Sequence, residues 1–140
     1  MFLTSGSLNL RFFKCFSIFL VFSICSCEKE EGEGGNFRIR GKVYVKDYDK
    51  NFSVLEKKYY GHDEDVYIIY GNNVTYGDRL KTNYDGVYEF KYLREGKYKI
   101  YAYSRDSTNK SSTVTVPVIS EIEIKGKNLI IEVPDIIIFK

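Results

Sequence analysis

From residue 37 to the C-terminus the chain repeats with a period of two, and this limits its fold more than any other feature. In FRIRGKVYVKDY, Phe37, Ile39, Val43 and Val45 alternate with Arg38, Arg40, Lys42, Tyr44 and Lys46. Successive side chains of a strand point to opposite faces, so this pattern predicts one buried and one wet face. DVYIIYG (65 to 71) is mostly apolar and reads as a central strand, whereas GDRLKTN reads as a short polar one. GVYEFKYL (86 to 93) puts Tyr88, Phe90 and Tyr92 on one side and Glu89 and Lys91 on the other, and KYKIYAYS (97 to 104) alternates again. The tail supplies two more strands, STVTVPVISEIEIKG and NLIIEVPDIIIFK, in which Pro117 and Pro134 predict edge positions or bulges. Asp85-Gly86 and Arg94-Glu95-Gly96 mark tight turns. The result is an all-β domain over 37–140, with about seven strands in two antiparallel sheets whose inner faces form the core.

No covalent staple supports such a core. The three cysteines fall at positions 15, 25 and 27 of 140 residues, so neither an internal disulfide nor a thiolate zinc site exists in the folded part. Its stability must come from burial.

The N-terminal segment, 1–26, carries Arg11 and Lys14 and then the apolar run CFSIFLVFSICS. The run has the h-region length of a secretory signal and falls short of the roughly 20 residues that span a bilayer. Its apolar residues show no helical stripe, which argues against a core helix. The segment ends in Ile24-Cys25-Ser26-Cys27, which resembles the lipobox of bacterial lipoproteins. The resemblance implies cleavage before Cys27, lipidation of Cys27 with palmitate-type chains, and loss of Cys15 and Cys25 with the signal. Each buried methylene adds about 0.8 kcal/mol to membrane binding, so several chains anchor durably. Removing Arg11 and Lys14 leaves 19 basic and 19 acidic residues, no global field for nucleic acid.

EKEEGEGG follows the cysteine and is too polar and glycine-rich to be expected in a core, so 27–36 reads as a tether. The acidic run is similar to the export signal of Gram-negative lipoproteins carried to the outer face of the outer membrane. That likeness implies a surface-exposed protein, with a periplasm-facing anchor as the alternative.

Within the folded part, Gly41-Lys42-Val43, then DVYIIYG, then TNYDGVYEF, then LREGKYKIYAYS, resemble the carboxypeptidase-regulatory-like, transthyretin-like (prealbumin-like) β-sandwich family. Thr82, Gly86, Tyr88 and Phe90 match its middle pattern, and Leu93, Gly96 and Tyr98 its last. The likeness covers 37 to about 106 and implies a sandwich of transthyretin-like or Ig-like type. It implies no activity, because such modules accompany many unrelated proteins. The connection DKNFSVLEKKYYGHDEDV is longer and more charged than the pattern and is a candidate specificity loop.

Catalytic chemistry has little to work with here. There is one histidine, no G-x-S-x-G elbow and no glycine-rich phosphate cradle, so the reading is a non-enzyme without a cofactor, a metal-dependent hydrolase being the remote alternative. Serines 104, 107, 111 and 112 cluster in an expected loop. Asp47, Asp49 and Asn51 begin like a calcium loop, but Phe52 replaces its glycine and Lys58 its bidentate glutamate. His62, Asp63, Glu64 and Asp65 are consecutive and unsuited to converge on one ion, so no metal site is assigned. Asp106-Ser107-Thr108 resembles the acceptor of a bacterial O-glycosylation system, which makes Ser107 the candidate. Alternation puts Tyr44, Tyr101 and Tyr103 on the solvent side near Lys42, Lys97 and Lys99. Amphipathic rings beside cations suit a sugar or a protein partner, although tyrosine is also a good strand former with no ligand at all. The expectation is a lipid-anchored surface module that binds a glycan or protein, the alternative being a structural spacer of an outer-membrane complex.

Overall fold

A computed structural model describes residues 30–109 and 114–140. Nine strands are present among them: β1 (Glu33–Tyr48), β2 (Leu55–Tyr60), β3 (Asp65–Tyr70), β4 (Asp78–Lys81), β5 (Val87–Leu93), β6 (Gly96–Arg105), β7 (Thr115–Ile124), β8 (Ile130–Glu132) and β9 (Ile136–Phe139). They form a β-sandwich of a five-stranded sheet around β1 and a four-stranded sheet ordered β4-β3-β6-β7.

β1 is the spine of the first sheet because its 16 residues can pair with two shorter strands along each edge. On one edge, β5 pairs with its N-terminal half and β2 with its C-terminal half. They meet end to end at Val43, whose N–H donates to Gly86 O at 2.9 Å and whose carbonyl accepts from Gly61 N at 2.9 Å. Gly86 adopts φ 72° there, a conformation that a side chain rarely takes. On the other edge β8 and then β9 run parallel to β1, which corrects the expected purely antiparallel arrangement. Pro134 explains the division, since it lacks an N–H and lies between the two short strands. Together with β2, unseen in the charged connection, this raises seven expected strands to nine.

The inner faces share one core. β1 contributes Ile39, Val43 and Val45, β3 Val66 and Ile68, β6 Tyr98, Ile100 and Ala102, and β9 Ile136 and Ile138. Each buried aliphatic side chain contributes about 1.5–3 kcal/mol, which is how the domain does without a disulfide. The two-residue period breaks once in β5: Tyr88 and Phe90 point inward, but Tyr92 has φ 59° and is 67% exposed, and Leu93 takes the inner position. The register of β5 on β1 shifts at the same place, so the expected Tyr88-Phe90-Tyr92 face ends in a bulge.

The expected 27–36 tether is corrected over its described part, residues 30–36. β1 begins at Glu33, and residues 30–32 before it dock on the domain: Gly32 N–H donates to the Tyr98 hydroxyl at 3.1 Å, and Arg94 N–H donates to Gly32 O at 2.9 Å. Backbone runs so close to backbone that a Cβ at Gly35 would lie 2.0 Å from Leu93 O. Glycine therefore serves approach rather than looseness here. A cleft of about 900 Å³ at this seam is lined by Glu30, Glu31, Arg94, Glu95 and Lys125.

Candidate binding face

The outer face of the four-stranded sheet carries a row of tyrosines. In β3, Val66 and Ile68 face the core, so Tyr67 faces out; in β6, Ile100 and Ala102 face the core, so Tyr101 and Tyr103 face out. Cross-strand register then aligns Arg79 of β4, Tyr67 of β3, Tyr101 of β6 and Ile119 of β7, and places Tyr103 opposite Pro117.

Tyr67 and Tyr101 stack with ring centroids 5.0 Å apart and planes 11° apart. Tyr76, from the β3–β4 loop, meets Tyr67 edge-on at 5.1 Å, and Tyr103 meets Tyr101 edge-on at 5.5 Å. Such pairs contribute about 0.5–1.5 kcal/mol each beyond their area. The inner pair therefore shields itself: Tyr101 is only 8% exposed. The outer rings remain open, Tyr76 at 52% and Tyr103 at 49%, with exposed Ile119 beside them. Burial, and then its neighbour Tyr103, push the Tyr101 hydroxyl up in pKa. Arg79 is tied down by the Tyr67 hydroxyl and by Asp65, 3.7 Å away. An aromatic surface with rigid rings and hydroxyl, guanidinium and carboxylate groups at its rim can receive a ligand that is apolar on one face and polar at its edge.

The sequence placed Tyr44, Tyr101 and Tyr103 together on the solvent side, and the structure separates them. Tyr44 lies on the outer face of the other sheet, opposite Tyr60, with centroids 5.2 Å apart. Tyr101 and Tyr103 do share a face, but Tyr101 is a covered support rather than a contact residue. Lys99 shares this face two residues before Tyr101, opposite Ile69 and Glu121, so the rings have one cationic neighbour along β6 besides their aromatic ones. Tyr67 was legible from the alternation of DVYIIYG, whereas Tyr76 lies in a loop with no periodic signal.

The remaining candidates are placed as follows. Cys27, Ser111 and Ser112 lie outside the described residues. Ser107 is exposed beside Asp106, whose carboxylate accepts from Thr108 N–H at 2.8 Å and from its hydroxyl at 2.6 Å. These bonds hold the Asp106 carboxyl below its usual range. Ser104 is buried and accepts from Phe139 N–H at 2.8 Å, fastening β9. The residues after His62 diverge: Asp63 pairs with Lys81 at 3.0 Å, Glu64 with Lys140, and Asp65 with Arg79. His62 itself lies against Tyr84, 5.9 Å between rings.

The stretch resembling a calcium loop already surrounds a cation. Arg105 donates to Tyr48 O at 3.3 Å, to Asp49 O at 3.3 Å and to Lys50 O at 3.1 Å, and lies 4.3 Å from the centre of the Phe52 ring. Asp49 turns its carboxylate the other way, accepting from Ser53 N–H at 2.6 Å. The residues of the family-like patterns are structural as well. The Thr82 hydroxyl donates to Gly61 O at 2.6 Å and accepts from Glu64 N–H at 2.9 Å. The Tyr98 hydroxyl donates to Arg94 O at 2.8 Å.

No family model matches the chain, and no curated protein matches it. Among solved structures it is similar to the crystal structure of a "putative carbohydrate binding protein" from Pseudomonas aeruginosa, at 12% identity and a TM-score of 0.44, covering 78% of this chain and 91% of that one.

Proposed function

We propose that the protein is a non-catalytic binding module, lipid-anchored at the outer membrane through Cys27 and exposed on the cell surface, whose outer tyrosine row holds a glycan. The observation that carries the reading is the pairing of a self-shielded inner stack, Tyr67 and Tyr101, with two open rings, Tyr76 and Tyr103. A pyranose offers an apolar C–H face and a polar rim. Tyr76, Tyr103 and Ile119 suit the first, while the hydroxyls and Arg79 suit the second.

The same row favours a second reading. Aromatic cross-strand pairs stabilise a wet sheet face without any ligand, and a spacer subunit of an outer-membrane complex would need no more. A glycan array probed with the full chain separates the two: reproducible retention of a saccharide class supports the first, and an empty array together with co-purification of one outer-membrane partner supports the second. The anchor is tested by palmitate labelling, which Cys27→Ala should abolish. Orientation is tested by protease shaving of intact cells, where protection of an otherwise cleavable domain would put it in the periplasm.

A further inference from the structure

On the opposite side of the sandwich, the outer face of the first sheet is cationic. Along β1, Arg38, Arg40, Lys42 and Lys46 share this face, with about 6.6–6.8 Å between positions two apart. The N-terminal part is compensated: Glu89 lies 3.8 Å from Arg38, 3.5 Å from Arg40 and 3.3 Å from Lys91, and Glu132 also pairs with Arg40. The C-terminal part differs. Lys46 stands directly opposite Lys58 of β2, and no carboxylate among the described residues lies within 4.0 Å of Lys42, Lys46 or Lys58. Like charges directly opposite destabilise a sheet. The arrangement thus carries a repulsion that an incoming anion would relieve.

Aromatic surface adjoins these ammonium groups. Lys42 lies 4.6 Å from the centre of the Tyr60 ring, Tyr60 meets Tyr44 edge-on, and Tyr60 and Ile137 are exposed. Asp135 stands at the Tyr60 hydroxyl and pushes it up in pKa, which leaves the ring rather than the hydroxyl as the free feature. We propose that Lys42, Lys46 and Lys58, with Tyr44 and Tyr60, bind one strand of an acidic polysaccharide: its carboxylate or sulfate groups between the lysines and its C–H faces against the rings. The site is one strand pair wide and sits on a chain whose basic and acidic residues balance once Arg11 and Lys14 are set aside. A bilayer surface or a duplex nucleic acid would call for a broader cationic field.

The site is independent of the tyrosine row, so the two can fail separately. The full chain in non-ionic detergent is run on affinity gels containing polygalacturonate, dextran sulfate or uncharged dextran. Retardation by the two acidic polymers and not by dextran is expected, weakened at least tenfold in the Lys46→Gln/Lys58→Gln variant and unchanged in Lys125→Gln, which removes a cation that pairs with Glu123 on the other sheet. Equal retardation of the double variant overturns the proposal, as does equal affinity for duplex DNA, or binding to phosphatidylglycerol vesicles with none to the polysaccharides. A second readout guards against misfolding: Lys58→Glu should raise the thermal midpoint by about 2 °C while abolishing retardation. A lowered midpoint would contradict the repulsion between the opposed lysines and overturn the proposal.

Discussion

Tyr67 and Tyr101 face each other across β3 and β6 with their rings 5.0 Å apart and nearly parallel, so the centre of the aromatic row is spent on the protein itself. Tyr101→Ala should therefore act on stability, costing about 2–3 kcal/mol in denaturant unfolding through lost packing. Tyr103→Ala, removing a half-exposed ring, should cost less than about 1 kcal/mol. Similar losses for both would mean that the row has no open outer members.

Thr82 fastens the β2–β3 connection to the start of the β5 turn through two hydrogen bonds of one buried hydroxyl. Thr82→Val keeps the shape and strands Gly61 O and Glu64 N–H, for an expected loss of about 1–3 kcal/mol. A urea midpoint unchanged at constant slope would contradict the role given to this hydroxyl.

Gly35→Ala should detach the segment that precedes β1. Its Cβ has no room beside Leu93 O, so amide exchange at Gly32 and Arg94, whose N–H groups hold this docking, should accelerate while the β6–β7 ladder stays protected. Exchange at Gly32 and Arg94 that is as fast in the wild type as in Gly35→Ala would return the segment to the status of a free tether.

High pH should loosen the same region. Burial first, and then Glu33, push the Tyr70 hydroxyl up to about 12, and burial likewise raises Tyr98. An unfolded tyrosine loses its proton near pH 10, so between about 10 and 12 the folded state holds more protons than the unfolded one. This contribution is complete below pH 10 and is lost as pH rises toward 12. Phenolate absorbance should rise in more than one step, the last coinciding with loss of the β-sheet dichroism. A single step near pH 10 with the fold retained would contradict the burial described for these rings.

The alternation of FRIRGKVYVKDY, DVYIIYG and KYKIYAYS was enough to assign strands and their buried faces, because a two-residue period places every second side chain on one side of a sheet. What it could not reveal was pairing. β2 is exposed almost throughout, so LEKKYY has no inward stripe to read. β8 and β9 follow β1 in parallel because of long-range register, which leaves no local mark beyond Pro134. The site shows the same division. Alternation identifies the outward direction of Tyr101, but only the positions of Tyr67, Tyr76 and Tyr103 around it explain why an outward residue is buried. Tyr44 illustrates the converse: outward on its own strand, it belongs to the other side of the molecule.

The central claim is that Tyr76 and Tyr103 form an open contact surface for a sugar. Titration calorimetry of the full chain against the saccharide class retained on the array tests it most directly, comparing wild type with Tyr76→Ala/Tyr103→Ala. The account predicts an affinity at least tenfold weaker in the double variant, a loss of about 1.4 kcal/mol or more, with an unfolding midpoint within a few degrees of wild type. An affinity unchanged in a folded double variant would contradict it.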